Sequence, residues 1–292
     1  MISGENMPDE NILIVGLGEV GHALYDLFRE NKKLSTYGVD IDVKKTQAIT
    51  NNTNPPENVD VMHICYPCNK QDVFVQTTLN YIKEYRPKLM IIDSTVPPGT
   101  TRKIYDAAKL PIVHSPIRGM HENLEAMKKD IHFWSKYVGG TSREAAESAQ
   151  KHFEKIKLEV KILKGPEETE LAKLFETTYR AWMIACFQEM HRISRHFKAD
   201  FNEVVDMIED IQRQRLNKPL HFPAVIGGHC LIPNTELLQS VYDSEFLRLI
   251  LKSNEKRKEE IKNEDVSLET EKIRKRSEAL QKELMEKLKK SN

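Results

Sequence analysis

The sequence predicts an α/β protein: an N-terminal Rossmann-type parallel sheet, then a long-helix dimerisation domain, then a charged C-terminal helix. Three observations carry that prediction. Short apolar runs alternate with amphipathic stretches over the first half of the chain. The glycine-rich turn Gly16-Leu17-Gly18-Glu19-Val20-Gly21 directly follows the first of those runs. At Gly165-Pro166 the alternation stops and one long helical period begins.

In order, Ile12 to Val15 is a first strand and Gly21 to Arg29 a helix. Tyr37–Val39, Val59–Ile64, Leu89–Ile92 and Pro111–His114 read as further strands, with helices over Gln71–Glu84 and Thr100–Lys109. The stretch between Asp40 and Val59 holds one short helix and a loop, which predicts a trimmed sheet. Proline at a first helical position, followed by Glu167, Glu168 and Glu170, starts a helix that runs to about Phe197. Asp200 opens a second helix, and Gln212 to Pro233 reads as a loop. From Leu251 lysine and glutamate dominate, and the thin stripe Ile273, Leu280, Leu284, Leu288 reads as a solvated terminal helix. The expected domains are 1–165, 166–250 and 251–292.

Composition narrows the function. Across 292 residues, 44 lysines and arginines balance 44 aspartates and glutamates, so nothing draws the chain toward nucleic acid or an anionic membrane. No apolar run approaches the ~20 residues that cross a bilayer, and Met1 to Glu10 lacks the pattern of a signal peptide. A soluble, cytoplasmic protein is expected. Cys65-x-x-Cys68 has no second pair to complete a zinc site, so no metal is expected and the two read as reduced thiols.

The glycine turn carries the first chemistry. Gly16 makes the tight turn, Gly18 lets a pyrophosphate approach the backbone, and Gly21 lets the helix pack on the sheet. Leu17, Glu19 and Val20 supply the intervening backbone, and the helix N-terminus offers N–H groups to phosphate. Asp40 lies at the end of the second strand, where a carboxylate accepts from ribose hydroxyls and repels a 2′-phosphate. NAD is the expected cofactor. Lys44 and Lys45, close by, weigh toward NADP.

Three later segments carry a resemblance. Asp93-Ser94-Thr95-Val96-Pro97-Pro98-Gly99-Thr100-Thr101, the helix Glu170 to Ala181, and Ile226-Gly227-Gly228-His229-Cys230-Leu231-Ile232-Pro233 fall in order after the glycine turn. Together they resemble the UDP-glucose, UDP-N-acetylmannosamine and GDP-mannose dehydrogenases, the nucleotide-sugar dehydrogenase family. The resemblance implies oxidation of a primary alcohol by two hydride transfers to NAD in a homodimer. It implies that Cys230 is the nucleophile, that Lys173 offsets oxyanion charge, and that Thr95 positions water and substrate. It also implies that Gly227 and Gly228 let the chain pass close to a sugar nucleotide, with Thr177 and Asn234 at substrate-binding positions.

The sequence departs from the family at these last positions. Ile117 stands where family members carry glutamate, Thr177 where they carry asparagine, and Asn234 where they carry aspartate. Ile117 and Asn234 cannot ionise, so neither serves as a general base; His229 and His114 are the nearby candidates to replace them. The family's C-terminal domain, which closes over the nucleotide, has no counterpart in the polar segment after the cysteine loop. Two alternatives stand beside the leading one: a single-hydride dehydrogenase of the 3-hydroxyacid type, and a non-catalytic NAD-binding dimer.

Overall fold

The computed structural model describes residues 10–50, 54–119, 123–216 and 219–291; the acidic start, residues 1–9, lies outside them. The chain forms two compact units, Met1–Leu174 and Phe175–Asn292.

The first unit is the expected α/β layer structure. Strands β1 (Glu10–Val15), β2 (Leu34–Val39), β3 (Val61–Ile64), β4 (Leu89–Ile92) and β5 (Ile112–His114) are parallel, with helices α1 (Glu19–Arg29), α2 (Val43–Ile49), α3 (Gln71–Tyr85) and α4 (Thr100–Ala108) between them. The strand order is β2-β1-β3-β4-β5-β6-β7. The chain leaves β1 toward β2 and returns on the other side to β3. The ends of β1 and β3 therefore flank the crevice where doubly wound sheets bind ligands. Alternation along β1 sends Ile12 and Ile14 to one core and Leu13 and Val15 to the other, so the sheet is covered on both faces.

The sheet is larger than expected. Beyond His114 come α5 (Leu124–Phe133), β6 (Lys136–Gly140), α6 (Arg143–Glu154) and β7 (Val160–Ile162), with β6 antiparallel to β5. The expectation of a trimmed sheet held only between Asp40 and Val59, where α2 stands alone. Strand β6 escaped notice because it begins with a lysine and ends in two glycines, residues with low strand preference.

Helix α7 (Pro166–His196) runs for 31 residues, as the proline start and acidic first turn predict. In the second unit follow α8 (Phe201–Arg215), α9 (Leu231–Val241), α10 (Glu245–Glu260) and α11 (Glu264–Ser291). Asp200 caps α8 by accepting from the Asn202 N–H. The terminal helix is not solvated all round: Ile273, Leu280 and Leu284 are buried with Phe187, Phe201, Val205 and Leu220. Arg257, fully buried, donates to the Gln188 carbonyl at 2.8 Å. Ile184 and Phe187 of α7 are buried within the chain itself.

Candidate functional site

The glycine turn has the geometry a dinucleotide needs. Gly16 has φ +91°, and a side chain there would meet the Tyr66 backbone nitrogen at 2.8 Å. A Cβ on Gly21 would lie 1.8 Å from the Gly16 carbonyl oxygen, so α1 reaches the turn only without a side chain at that position. Gly18 faces open space, with nothing within 4 Å of an added Cβ. The Leu17 N–H donates to Asp40 at 2.7 Å and the Asp42 N–H donates to the other Asp40 oxygen at 2.9 Å. The acid at the end of β2 is thereby fixed at the turn. A cleft of about 340 Å³ opens here, lined by Leu17, Gly18, Glu19, His22 and Lys45 with Asn123, Leu124 and Met127. Val20 packs half-buried against the core beneath it.

The loop after β4 is tied to the start of α7. Ser94 donates to the Tyr66 carbonyl at 2.6 Å, and the neighbouring Thr95 is half-buried. Glu170, on the first turns of α7, accepts from the Gly99 N–H at 2.7 Å and from the Thr101 N–H and hydroxyl at 2.8 and 2.6 Å. It thus caps α4 with a carboxylate from another helix. Burial outweighs those three donors and pushes its carboxyl up to about 7. Lys173, one turn further along α7, is half-buried.

His114 is unsuited to the role of replacement base. Its ring nitrogens face the Thr169 hydroxyl at 2.8 Å and the Ser94 carbonyl at 3.1 Å. Burial, with Lys136 and Lys173 adding repulsion, pushes the imidazole down to about 3. Ile117 is packed into the core.

Beneath these groups lies a buried chain of charges that the sequence did not reveal. Lys136 donates to Asp93 at 2.8 Å, and Asp93 meets His63 at 2.7 Å. His63 meets His152 at 2.8 Å, and His152 meets Glu10 at 2.7 Å. The Cys65 sulfur lies 4.0 Å from Asp93. The members are 30 to 142 residues apart in sequence, and no local pattern joins them. Burial raises the Cys65 thiol well above its ordinary range and pushes Cys68 up to about 12, so both remain unreactive thiols.

In the second unit, Cys230 is half-buried at the N-cap of α9. Before it, Gly228 takes φ +79°, and Gly227 and Gly228 both face open space. The loop is held by a residue that no motif marked. Buried Asn254 on α10 accepts from the Ile226 N–H at 2.7 Å and donates to the Ile226 carbonyl at 3.2 Å. Asn234, one turn into α9, donates to Thr177 of α7 at 3.2 Å, and both are buried. The structure therefore brings together Thr177, Asn234 and the Cys230 loop in this unit, and the glycine turn and Asp40 in the other.

A doubly wound sheet with a glycine turn, an acid after β2 and a following long helix defines the class of dehydrogenase-type Rossmann proteins. Residues 167–256 match the pattern of the UDP-glucose/GDP-mannose dehydrogenase family, central domain. A 193-residue stretch is 30% identical to the UDP-N-acetyl-D-mannosamine dehydrogenase of Methanocaldococcus jannaschii, covering 60% of this chain and 43% of that one. The UDP-D-ManNAc dehydrogenase structure from Pyrococcus horikoshii superposes with a TM-score of 0.68 at 22% identity, covering 84% of this chain and 68% of that one. A 3-hydroxyisobutyrate dehydrogenase from Mycobacterium tuberculosis superposes at 0.62 with 14% identity, covering 84% and 91%, a likeness of fold. These likenesses support a relationship to the nucleotide-sugar dehydrogenases. The chain spans about two-fifths of the length of the first two curated relatives it matches, 43% and 42%. Among the described residues no helix is long and apolar enough to cross a membrane.

Proposed function

We propose that this chain is an NAD-dependent oxidoreductase acting on the primary alcohol of a nucleotide sugar. The observation that carries the reading is the position of Cys230, at the N-terminus of α9 and directly after two glycines that face open space. A helix N-terminus favours the thiolate, and bare glycine backbone gives a sugar access to it. Gly16 to Gly21 would hold the pyrophosphate of NAD and Asp40 its ribose, and the bound cofactor would supply the hydride acceptor. The open space over Gly18 and the clasped Asp40 carboxylate fit that group.

The chain's own residues then divide the work. Thr95 positions the substrate and water, and the Lys173 ammonium offsets charge on the alcohol oxygen as its proton and hydride leave. The Cys230 thiolate adds to the resulting aldehyde carbon, and a proton goes to its oxygen. Loss of a second hydride, which a second NAD would accept, and of the hydroxyl proton to solvent turns this thiohemiacetal into a thioester, which water cleaves to carboxylate and free thiol. Thr177, Gly227, Gly228 and Asn234 line the substrate side. The protein works in the cytoplasm as a homodimer, pairing through the apolar residues of α7 and α10 that its own helices leave exposed: Phe175, Tyr179, Phe246 and Leu249.

A second reading has its own support. Ile117 is core, and Asn234 and Thr177 bond to each other, so neither family carboxylate has a substitute there. That favours a single-hydride reaction or a cofactor-binding partner without catalysis. NADH counted per substrate consumed, across UDP-sugars, GDP-sugars and small hydroxy acids, separates the three: two, one or none. The dimer is tested by light scattering, and a monomer at micromolar concentration counts against it.

A further inference from the structure

The buried chain Asp93–His63–His152–Glu10 poses a counting problem. It has three short contacts: Asp93 Oδ2 to His63 Nδ1 at 2.7 Å, His63 Nε2 to His152 Nε2 at 2.8 Å, and His152 Nδ1 to Glu10 Oε2 at 2.7 Å. Each contact needs one proton to be a hydrogen bond. Two neutral imidazoles bring one ring proton each, and two carboxylates bring none. Three bonds therefore require one proton more than neutral rings and ionised acids hold. Leaving one contact without its proton would set two lone pairs against each other in the interior, where His63 and Asp93 side chains are 0% exposed and His152 is 1% exposed.

The surroundings favour keeping that proton on a ring. Burial alone would raise both acids. The bonds and charges of His152 and Lys155 nonetheless hold Glu10 below the usual carboxylate range, and Lys136 and His63 do the same for Asp93. Burial pushes His152 down to about 4, with His63 adding to the effect and Glu10 opposing it. The remaining neighbours are Phe28, stacked on His152 at 4.6 Å, Phe153, and the Cys65 thiol beside Asp93. Lys136 beside Asp93 and Lys155 beside Glu10 keep the two carboxylates ionised, so the missing proton is not held by an acid. Among the described residues no group of three or more His, Cys, Asp and Glu is arranged for a metal ion, and a proton is what the third contact needs.

We propose that His63 and His152 hold one shared extra proton and form a relay between Glu10, at the start of β1, and Asp93, at the end of β4. In the resting arrangement His63 is the imidazolium, donating through Nδ1 to Asp93 and through Nε2 to His152, while His152 donates through Nδ1 to Glu10. One proton crossing the gap between the two Nε2 atoms makes His152 the imidazolium and leaves both outer bonds as they were. From there the His152 Nδ1 proton passes to Glu10, whose side chain is 12% exposed and whose other oxygen meets Lys155 at 3.0 Å. The inner end lies beside the dinucleotide turn, where Cys65 abuts Gly21. An alcohol oxidation there releases a proton. Any service to that reaction rests on the function proposed above, but the shared proton and its route do not.

Magnetic resonance of isotope-labelled histidine in the full chain tests the relay without substrate or cofactor, with His63→Gln and His152→Gln for assignment. At neutral pH we expect three protons on the four ring nitrogens of His63 and His152. In Glu10→Gln the amide donates to His152 Nδ1, all three contacts are satisfied without an extra proton, and the count falls to two. Exchange of the proton between the rings with solvent should slow by about 10²-fold in that variant, the low end of what a positioned proton acceptor supplies. A wild-type count of two overturns the extra proton whether or not the variant folds. A count of three with unchanged exchange in Glu10→Gln overturns the route. Absence of dehydrogenase activity leaves both results standing and bears only on the function.

Discussion

Asn234 donates its side-chain amide to the Thr177 hydroxyl across 3.2 Å, joining α9 to α7 inside the second unit. The resemblance to nucleotide-sugar dehydrogenases leads one to expect an aspartate and an asparagine at these two positions, and the residues that stand there are complementary. An amide and a hydroxyl satisfy each other where burial would penalise a lone carboxylate. A pair that is bonded to itself is neutral and has no group with a carboxylate's basicity. The Cys230 loop therefore adjoins a neutral pair.

The dinucleotide turn gives the first test. Gly18 faces open space, so Gly18→Val does not disturb packing; its side chain instead occupies the room a pyrophosphate needs. The variant should melt within about 1 kcal/mol of the wild type, yet lose affinity for NAD and NADP alike. In the wild type, Asp40 should make NAD the tighter of the two, with Lys45 in the same cleft limiting the margin. Calorimetric titration measures both, and equal or reversed affinities reject the role of Asp40.

Asn254 provides a second test, on the cysteine loop. Asn254→Ala leaves the Ile226 N–H and carbonyl without their side-chain partner. Each buried group left unpaired costs about 1–3 kcal/mol, so the urea midpoint should fall by the equivalent of about 2–6 kcal/mol. The loop carrying Cys230 should loosen, and its thiol should react faster with an alkylating reagent. Unchanged stability and unchanged thiol reactivity together would show that Asn254 does not hold the loop.

Acid stability is a third, and here the groups oppose one another. His152 and His221 at about 4 and His114 at about 3 are held neutral in the fold by burial, against ~6.5 when unfolded. Between pH 6.5 and 4.5 the unfolded chain binds their protons and the folded chain does not, so these three contribute stability that is lost as pH falls. Glu170, raised by burial to about 7, works the other way: the folded chain holds its proton where the unfolded chain has released it. Three groups against one leave a net loss of roughly 2.7 kcal/mol per pH unit on acidification. Glu170→Gln removes the opposition, and the loss should steepen to about 4.1 kcal/mol per unit in that window. Unfolding at pH 5 and 6.5 in both proteins reads the difference, and parallel slopes would contradict it.

What the sequence made legible follows from how local each signal is. The glycine turn, Asp40 and the start of α7 rest on contiguous residues whose backbone demands are satisfied within a turn or two. The terminal helix was misread because three buried residues, Ile273, Leu280 and Leu284, are sparse among lysines and glutamates. Their partners Phe187, Phe201 and Leu220 come from elements far away in sequence. Arg257 looks like surface charge in the sequence, and its burial is explained by the Gln188 carbonyl and His191 of α7 together with Glu260. The same holds for the paired histidines: His63 and His152 lie 89 residues apart, and neither sits in a motif. Asn254 has no signal at all until the loop it clasps is seen in place.

The last prediction concerns the fate of an acyl group on Cys230. Forming the thiohemiacetal and oxidising it call on Cys230, Lys173 and the cofactor at the glycine turn, and each has a counterpart in this chain. Hydrolysis calls on a base to deprotonate water beside the thioester. Ile117 is core, Asn234 and Thr177 are neutral and mutually bonded, and His114 is buried with both ring nitrogens engaged. A positioned general base is worth about 10²–10⁴-fold in rate, or roughly 3–5 kcal/mol. With a substrate it accepts, the enzyme should therefore release a burst of NADH and then turn over slowly, carrying a mass adduct that Cys230→Ser abolishes. Asn234→Asp, which returns a carboxylate one turn from Cys230 with the Thr177 hydroxyl able to donate to it, should raise the slow phase and leave the burst in place. It should also cost about 1–3 kcal/mol of stability for the buried charge. Linear NADH production without an adduct would mean that another group activates water, with His229 beside the nucleophile the first to substitute.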